Sequence, residues 1–352
     1  MPLDDSVLTW NVRSTYAGVN VRAVQFFGFG AADELRIVDV GTPRPTARQV
    51  LVRIAATSIN PVDIETRHGR LRLLSGRSFP QGTGIDIAGT VETVGDDVVG
   101  FAPGDRVWGV KAGFFPRTTG ATAEFMAIDA GLLAASPQNI DIVDAAALPA
   151  VGITAITAVR DKGRVTAGSR VLVRGAAGGV GSVVVQYAHS LGAHVTALVS
   201  EGNMQFVLDL GADVVLDRKA THVEDLGRFD VIIDTVGSDL LRYRRHLSRG
   251  GRMVTIAFSS SGSLAAIALS GIYGRKRIRT FAGQPPRGRI AQLTDLVEAD
   301  AVVPVIAEIY PLERIADAHR ATEAGGGRGK RVIRINAASS SLVPPLGFEP
   351  RL

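Results

Sequence analysis

Arg174-Gly-Ala-Ala-Gly-Gly-Val-Gly181 follows directly on the apolar run Val171-Leu-Val173. A turn that docks a dinucleotide needs a small residue where the chain bends, where backbone meets pyrophosphate and where helix packs on strand. The phosphates then rest on the unpaired amides of the helix start. Ala176, Gly178 and Gly181 fall at those three positions, giving A-x-G-x-x-G, one glycine short of the usual pattern. A tight turn that binds nothing would look the same in isolation, so the surroundings carry the argument. A short buried strand precedes the turn, a helix is predicted over residues 179–191, and a further strand over 194–199. Ala177, Gly178, Gly179, Val180 and Gly181 are the expected cofactor contacts.

Downstream the alternation continues, with a helix over 204–210 and strands over 213–216, 229–234 and 251–257. This is the order of a parallel sheet covered by helices on both faces, an α/β doubly wound domain. Open sheets of this kind bind ligands at the carboxyl ends of their strands, which adds Gly237, Ala257 and Phe258 to the expected cofactor contacts. The end of the second strand separates the two nicotinamide dinucleotides, because a carboxylate there accepts the ribose hydroxyl and repels a 2′-phosphate. That slot counts to Leu198, which is no acid. Ser200 can donate to a phosphate and Arg218, past the third strand, can supply positive charge, while Glu201 argues the other way. The balance favours NADPH.

Residues 21–135 have another character: short β-like runs at 50–55, 87–94, 106–110 and 123–128, broken by glycine, proline and aspartate turns. After 284 the chain predicts a helix over 290–298, a strand over 307–310, a helix over 312–324 and a strand over 330–335. That is too little for a third core, so this segment is expected to return to the first domain. The expected division is an extension at 1–20, a β domain whose first part is 21–145, a dinucleotide domain at 146–283, the return at 284–336 and a disordered Ser- and Pro-rich tail at 337–352.

A chain of 352 residues has room for two such domains, and 46% hydrophobic with 21% charged residues is a globular composition. No apolar run is long enough to cross a membrane and the first residues lack the order of a secretory signal, so no membrane partner and a cytoplasmic address are expected. With no cysteine, disulfides, thiol nucleophiles and thiolate zinc sites are excluded. The net charge is +5; Arg275-Lys276-Arg277 with Arg279 forms one basic cluster without a nucleic-acid reading motif, so it reads as a solvated or subunit-facing surface and nucleic acid is not an expected partner.

In combination, Ser58-Ile-Asn-Pro-Val-Asp63, Gly84-Ile-Asp-Ile-Ala-Gly89, Phe101-Ala-Pro-Gly-Asp-Arg-Val107, Ala123-Glu-Phe125, the stretch 145–149 with Thr154, and the glycine turn resemble the medium-chain dehydrogenase/reductase superfamily. Within it they are similar to the zinc-free quinone oxidoreductase, zeta-crystallin-like branch. The resemblance implies a discontinuous GroES-like β domain beside a Rossmann domain, an active site in the cleft between them, and a homodimer formed through the α/β domain. It also implies hydride transfer from NADPH to a quinone or an α,β-unsaturated carbonyl. Asn60 would face nicotinamide and substrate as the catalytic residue, its amide a donor to the carbonyl, and Thr154 would contact the nicotinamide region.

Zinc-dependent members carry Cys where this chain has Asn60, and Gly-His-Glu where it has Gly84-Ile85-Asp86, so no catalytic metal is expected. The six histidines show no ligand spacing. Glu65 stands where many relatives have a tyrosine, which puts tyrosine-assisted proton transfer in doubt. Among secondary candidates, Asp63 has no settled role, Asp86 is expected to hold backbone amides of its own glycine-rich loop, and Lys111 to lie on a solvated loop. An enoyl-thioester reductase and a non-catalytic NADPH-binding protein remain alternative readings.

Overall fold

The computed structural model describes residues 16–111, 120–257, 261–271, 278–281 and 288–335. Phe258, the cluster Arg275-Lys276-Arg277 and the tail from 337 lie outside the described residues.

Sixteen strands among these residues form three sheets. In chain order, β1 Tyr16–Phe26, β2 Leu35–Pro43 and β4 Gln81–Gly82 make a small antiparallel sheet in the order β2-β1-β4. β1 starts inside the stretch read as an extension, because Tyr16 and Asn20 already pair with Pro43 and Gly41.

The second sheet contains β3 Gln49–Ser58, β5 Asp86–Val94, β6 Arg106–Val110, β7 Phe125–Asp129 and β8 Leu133–Ala135. Its centre is β3, which pairs with β5 along one side and with β7 along the first half of the other. The rest of that second side is filled from far along the sequence: β16 Lys330–Arg334 sets Val332 opposite Ser58, and β15 Ile306–Pro311 pairs beyond it. The segment after 284 thus supplies two strands, β15 and β16, to this second sheet.

The third sheet is parallel throughout, in the order β11-β10-β9-β12-β13-β14, built from β9 Arg170–Arg174, β10 His194–Val199, β11 Val214–Asp217, β12 Phe229–Asp234, β13 Leu247–Thr255 and β14 Ile278–Arg279. Val171, Leu172, Val173, Ile232 and Ile233 are fully buried in it, which is why these strands read as unbroken apolar runs: both faces are covered. The strand order reverses between β9 and β12, and the crevice at such a switch point is where open sheets take ligands.

Two boundaries differ from the sequence reading. β13 starts at Leu247 rather than at Gly251, because Leu247 pairs with Phe229 and the glycines after it absorb a register shift. The predicted helix 312–324 is a 3₁₀ turn at Leu312–Arg314 followed by a helix at Ile315–Glu323.

Candidate active site

The glycine turn joins β9 to the helix Gly179–Ser190. The left-handed bend falls at Gly175, with φ of 73°, where a Cβ would lie 2.3 Å from Thr235 Oγ1. Ala176 needs no left-handed backbone, so alanine in the first pattern position costs nothing. Gly181 is the packing glycine: a Cβ there would stand 2.1 Å from the Gly175 carbonyl oxygen. Gly178 faces open space, with only the Gly175 oxygen within reach, at 3.5 Å. The amides of Gly179, Val180 and Gly181 precede the first intrahelical bond, which Ser182 makes to Gly178, and so point out of the helix start. A cradle with free amides and no side chain in the way fits a pyrophosphate.

Near the end of β10, Leu198 is buried and pairs with Arg174, the last residue of β9, and Ser200 is the first residue past the strand. The Ser200 hydroxyl accepts from Asn203 Nδ2 at 3.0 Å. Arg218 is anchored beside it, its amide donating to Val199 O at 2.7 Å. Arg328, which the sequence reading missed, reaches the same edge from the returning segment: Nη2 donates to Gly202 O at 2.7 Å and Nε to Asn203 Oδ1 at 2.9 Å. No sequence signal marks it, because 125 residues separate Arg328 from Asn203.

Arg174, which opens the glycine stretch, turns to the other side. It pairs with buried Asp234 at 2.6 Å, donates to Ser238 O at 2.7 Å and stacks over Tyr243. Asp234 in turn accepts from Gly237 N and Thr255 Oγ1, both at 2.8 Å. This network fixes the loop carrying Gly237 and, through the Thr255 hydroxyl bonded to its carbonyl, Ala257. The Thr154 hydroxyl is spent within its own helix on Ala150 O, at 2.7 Å.

Asn60 heads the short helix Pro61–Arg67 and is almost wholly buried. Its Nδ2 donates to Asp86 Oδ2 at 2.7 Å and to Ser58 O at 3.2 Å, and its Oδ1 accepts from Lys330 Nζ at 2.6 Å. An ammonium can only donate and a carboxylate here only accepts, so the two partners fix which way the amide faces. Both amide hydrogens are engaged inside the protein; the expected donation to a substrate requires exchange of the longer bond, to Ser58.

Lys330 is the second residue the sequence reading missed. Its Nζ also donates to Ile59 O at 2.6 Å and lies 3.6 Å from Asp86 Oδ2. Burial lowers its pKa against the opposing pull of Asp86 and Asp63. Its stem packs on Gly179, where a Cβ would be 2.8 Å from Lys330 Cδ, and the preceding Gly329 bridges to Gly178 and donates to Ala177 O at 2.9 Å. One residue thus touches both the glycine turn and Asn60.

The loop amides expected of Asp86 go to another carboxylate. Asp63, not Asp86, holds the glycine-rich loop, accepting from Gly84 N at 2.9 Å and from Asn60 N at 2.8 Å. Burial raises its pKa. Asp86 instead reaches across to accept from Ala150 N at 2.7 Å, at the start of the helix Pro149–Ile156. Lys111 is not on a solvated loop: at the end of β6 it is half-buried, and desolvation lowers its pKa to about 8 against the charge of Asp63. Glu65 pairs with Arg70 at the surface.

Two family profiles match the chain, one described as an alcohol dehydrogenase GroES-like domain over residues 46–138 and one as a zinc-binding dehydrogenase over 210–333. The 2-methylene-furan-3-one reductase of Solanum lycopersicum is 33% identical over 325 residues, covering 89% of this chain and 79% of that protein. The chain belongs to the medium-chain dehydrogenase/reductase superfamily. A further member similar to it is the chloroplastic NADPH-dependent alkenal/one oxidoreductase of Arabidopsis thaliana, 31% identical over 89% of this chain and 79% of that one. Among solved structures, the quinone oxidoreductase from Coxiella burnetii superposes with a TM-score of 0.81 at 29% identity, covering 90% of this chain and all of that one.

The second profile's description implies a metal, and the residues present do not fit zinc. Where a zinc site would need free donor atoms, Asn60 and Asp86 are committed to each other and to the Lys330 ammonium, and among the described residues no three His, Cys, Asp or Glu converge. Among the described residues no helix is long and apolar enough to cross a membrane.

Proposed function

We propose that the protein is a zinc-independent, NADPH-dependent reductase of quinones or α,β-unsaturated carbonyls, divided as the sequence suggests at 145/146 and 283/284, cytoplasmic and homodimeric. The observation that carries this reading is the junction at Lys330, where an open pyrophosphate cradle and a buried amide–ammonium pair meet across the two domains.

NADPH bound there supplies a hydride to a substrate already activated by conjugation. The cradle amides of Gly179, Val180 and Gly181 hold the pyrophosphate, with Ala177 and Gly178 shaping its floor. Gly237, Ala257 and, from the helix Pro149–Ile156, Thr154 would line the nicotinamide side. Ser200, Arg218 and Arg328 take the 2′-phosphate. The oxygen that becomes negative as hydride arrives needs a hydrogen-bond donor, and Asn60 provides one by releasing Ser58 O. The ammonium on its Oδ1 polarises the amide and strengthens that donor.

Purified protein mixed with NADPH and a simple quinone, or with an alkenone, consumes NADPH at a rate far above the uncatalysed one. No turnover with either class overturns the reading, and so does an active enzyme that carries stoichiometric zinc. Exclusive turnover of an enoyl thioester assigns the site to the larger substrate instead.

A further inference from the structure

Away from the cofactor cleft, the helix that starts at Pro149 continues as a wider turn over Thr157–Gly163 and covers one face of the parallel sheet near its edge strand β14. Between the end of that turn and strands β13 and β14 lies a cavity of about 400 Å³. Lys162, Arg164, Arg252, Arg279 and Thr280 line it, with one acid, Asp161. That acid is already taken, by Arg160 Nε at 3.0 Å and by Arg289 Nη2 at 2.7 Å. Lys162, Arg164 and Arg252 have no acidic partner and no hydrogen-bond acceptor among the described residues.

Like charges gathered without counter-charge disfavour the folded state. Burial and the neighbouring Arg164 together lower the pKa of Arg252. Arg164 also holds a left-handed backbone, φ 57°, which glycine adopts more cheaply. Thr280 adds a buried hydroxyl oxygen with no partner. A helix C-terminus by itself repels an anion, but three unpaired cations outweigh partial charges of that size.

We propose that this cavity binds a phosphorylated small molecule carrying two or more negative charges, held by Lys162, Arg164 and Arg252 with the Thr280 hydroxyl as a hydrogen-bonding partner. Guanidinium forks match phosphate oxygens two at a time, and the volume lies in the range of small-ligand sites. The site is separate from the glycine cradle and does not depend on the reductase reading.

The test is calorimetric titration of the full-length protein with inorganic pyrophosphate, with and without NADPH. With NADPH saturating the glycine cradle, one pyrophosphate per chain is expected, weakened by added salt. Arg252→Gln and Lys162→Gln each raise its Kd about tenfold or more. Thr280→Val, which keeps the shape and the charges, raises it severalfold. Absence of saturable uptake overturns the proposal. So does uptake that NADPH displaces completely and that is indifferent to Arg252→Gln, which belongs to the cofactor cradle. If Arg252→Gln instead dissociates a dimer by sedimentation while no pyrophosphate binds, the cavity faces a second copy of the chain and the proposal fails.

Discussion

Replacing Lys330 by methionine keeps the stem that packs on Gly179 and removes only the ammonium. Ile59 O and Asn60 Oδ1 then lose donors at 2.6 Å each, and fully buried Asp86 loses its counter-charge at 3.6 Å. A hydrogen bond to a charged group is worth about 1.5–3 kcal/mol, and stripping one partner from a buried charge pair costs about 3–5 kcal/mol. These losses overlap, so we expect Lys330→Met to destabilise by about 3–5 kcal/mol, a large share of a stability of typically about 5–15 kcal/mol. Asp86 still accepts from Ser58, Asn60 and Ala150, so removing its charge as well recovers part of the loss. Urea unfolding of Lys330→Met, Asp86→Asn and the double variant forms a cycle, with an expected coupling above about 1 kcal/mol. A loss under about 1 kcal/mol for Lys330→Met, the size of an exposed pair, would place the ammonium in water and refute the argument.

Two glycines of the turn are expected to separate binding from folding. Gly178→Ala, with no neighbour nearer than 3.5 Å, melts like the parent protein but binds NADPH about tenfold or more weakly, because its methyl stands where the pyrophosphate approaches. Gly181→Ala meets a backbone oxygen at 2.1 Å and loses about 1–3 kcal/mol of stability as well. Normal NADPH binding by Gly178→Ala would remove the turn from the cofactor site. At the other end of the cofactor, Arg218→Ala and Arg328→Ala should each weaken NADPH more than NADH in fluorescence titrations; equal effects on both dinucleotides would exclude that residue from the 2′-phosphate. His319 is buried, with Nδ1 unpartnered, and desolvation lowers its pKa to about 3 from 6.5. The unfolded chain takes up this proton below 6.5 while the folded protein refuses it until about 3, so stability present above 6.5 is lost on acidification at about 1.4 kcal/mol per pH unit. His319→Leu should flatten that limb in urea midpoints compared at about pH 7.5 and about pH 5, and an unchanged slope would assign it to other groups.

The α/β half was legible because its code is local. Strands buried on both faces must be apolar throughout, so 171–173 and 229–234 declare themselves, and a helix that starts on a phosphate cradle must begin with small residues. Local information thins at the end of β10: counting reaches Leu198, while the strand runs on through Val199 and leaves Ser200 as the first residue past it. The partner of Asp86 was hidden for a related reason, since it is the backbone of Ala150, 64 residues away.

By itself the sequence determined the order of elements, the glycine cradle and the absence of thiolate donors, since each rests on which residues follow one another. The tertiary structure alone decided which groups share the site. Lys330 and Arg328 lie on a segment that is sequentially last and spatially central, because β16 fills the half of the β3 edge that β7 leaves open. That pairing carries an ammonium to Asn60 across 270 residues of sequence. A charge so deeply buried is tolerable only where carbonyls and carboxylates from other strands already wait for it, and no periodicity along one strand can record partners that distant.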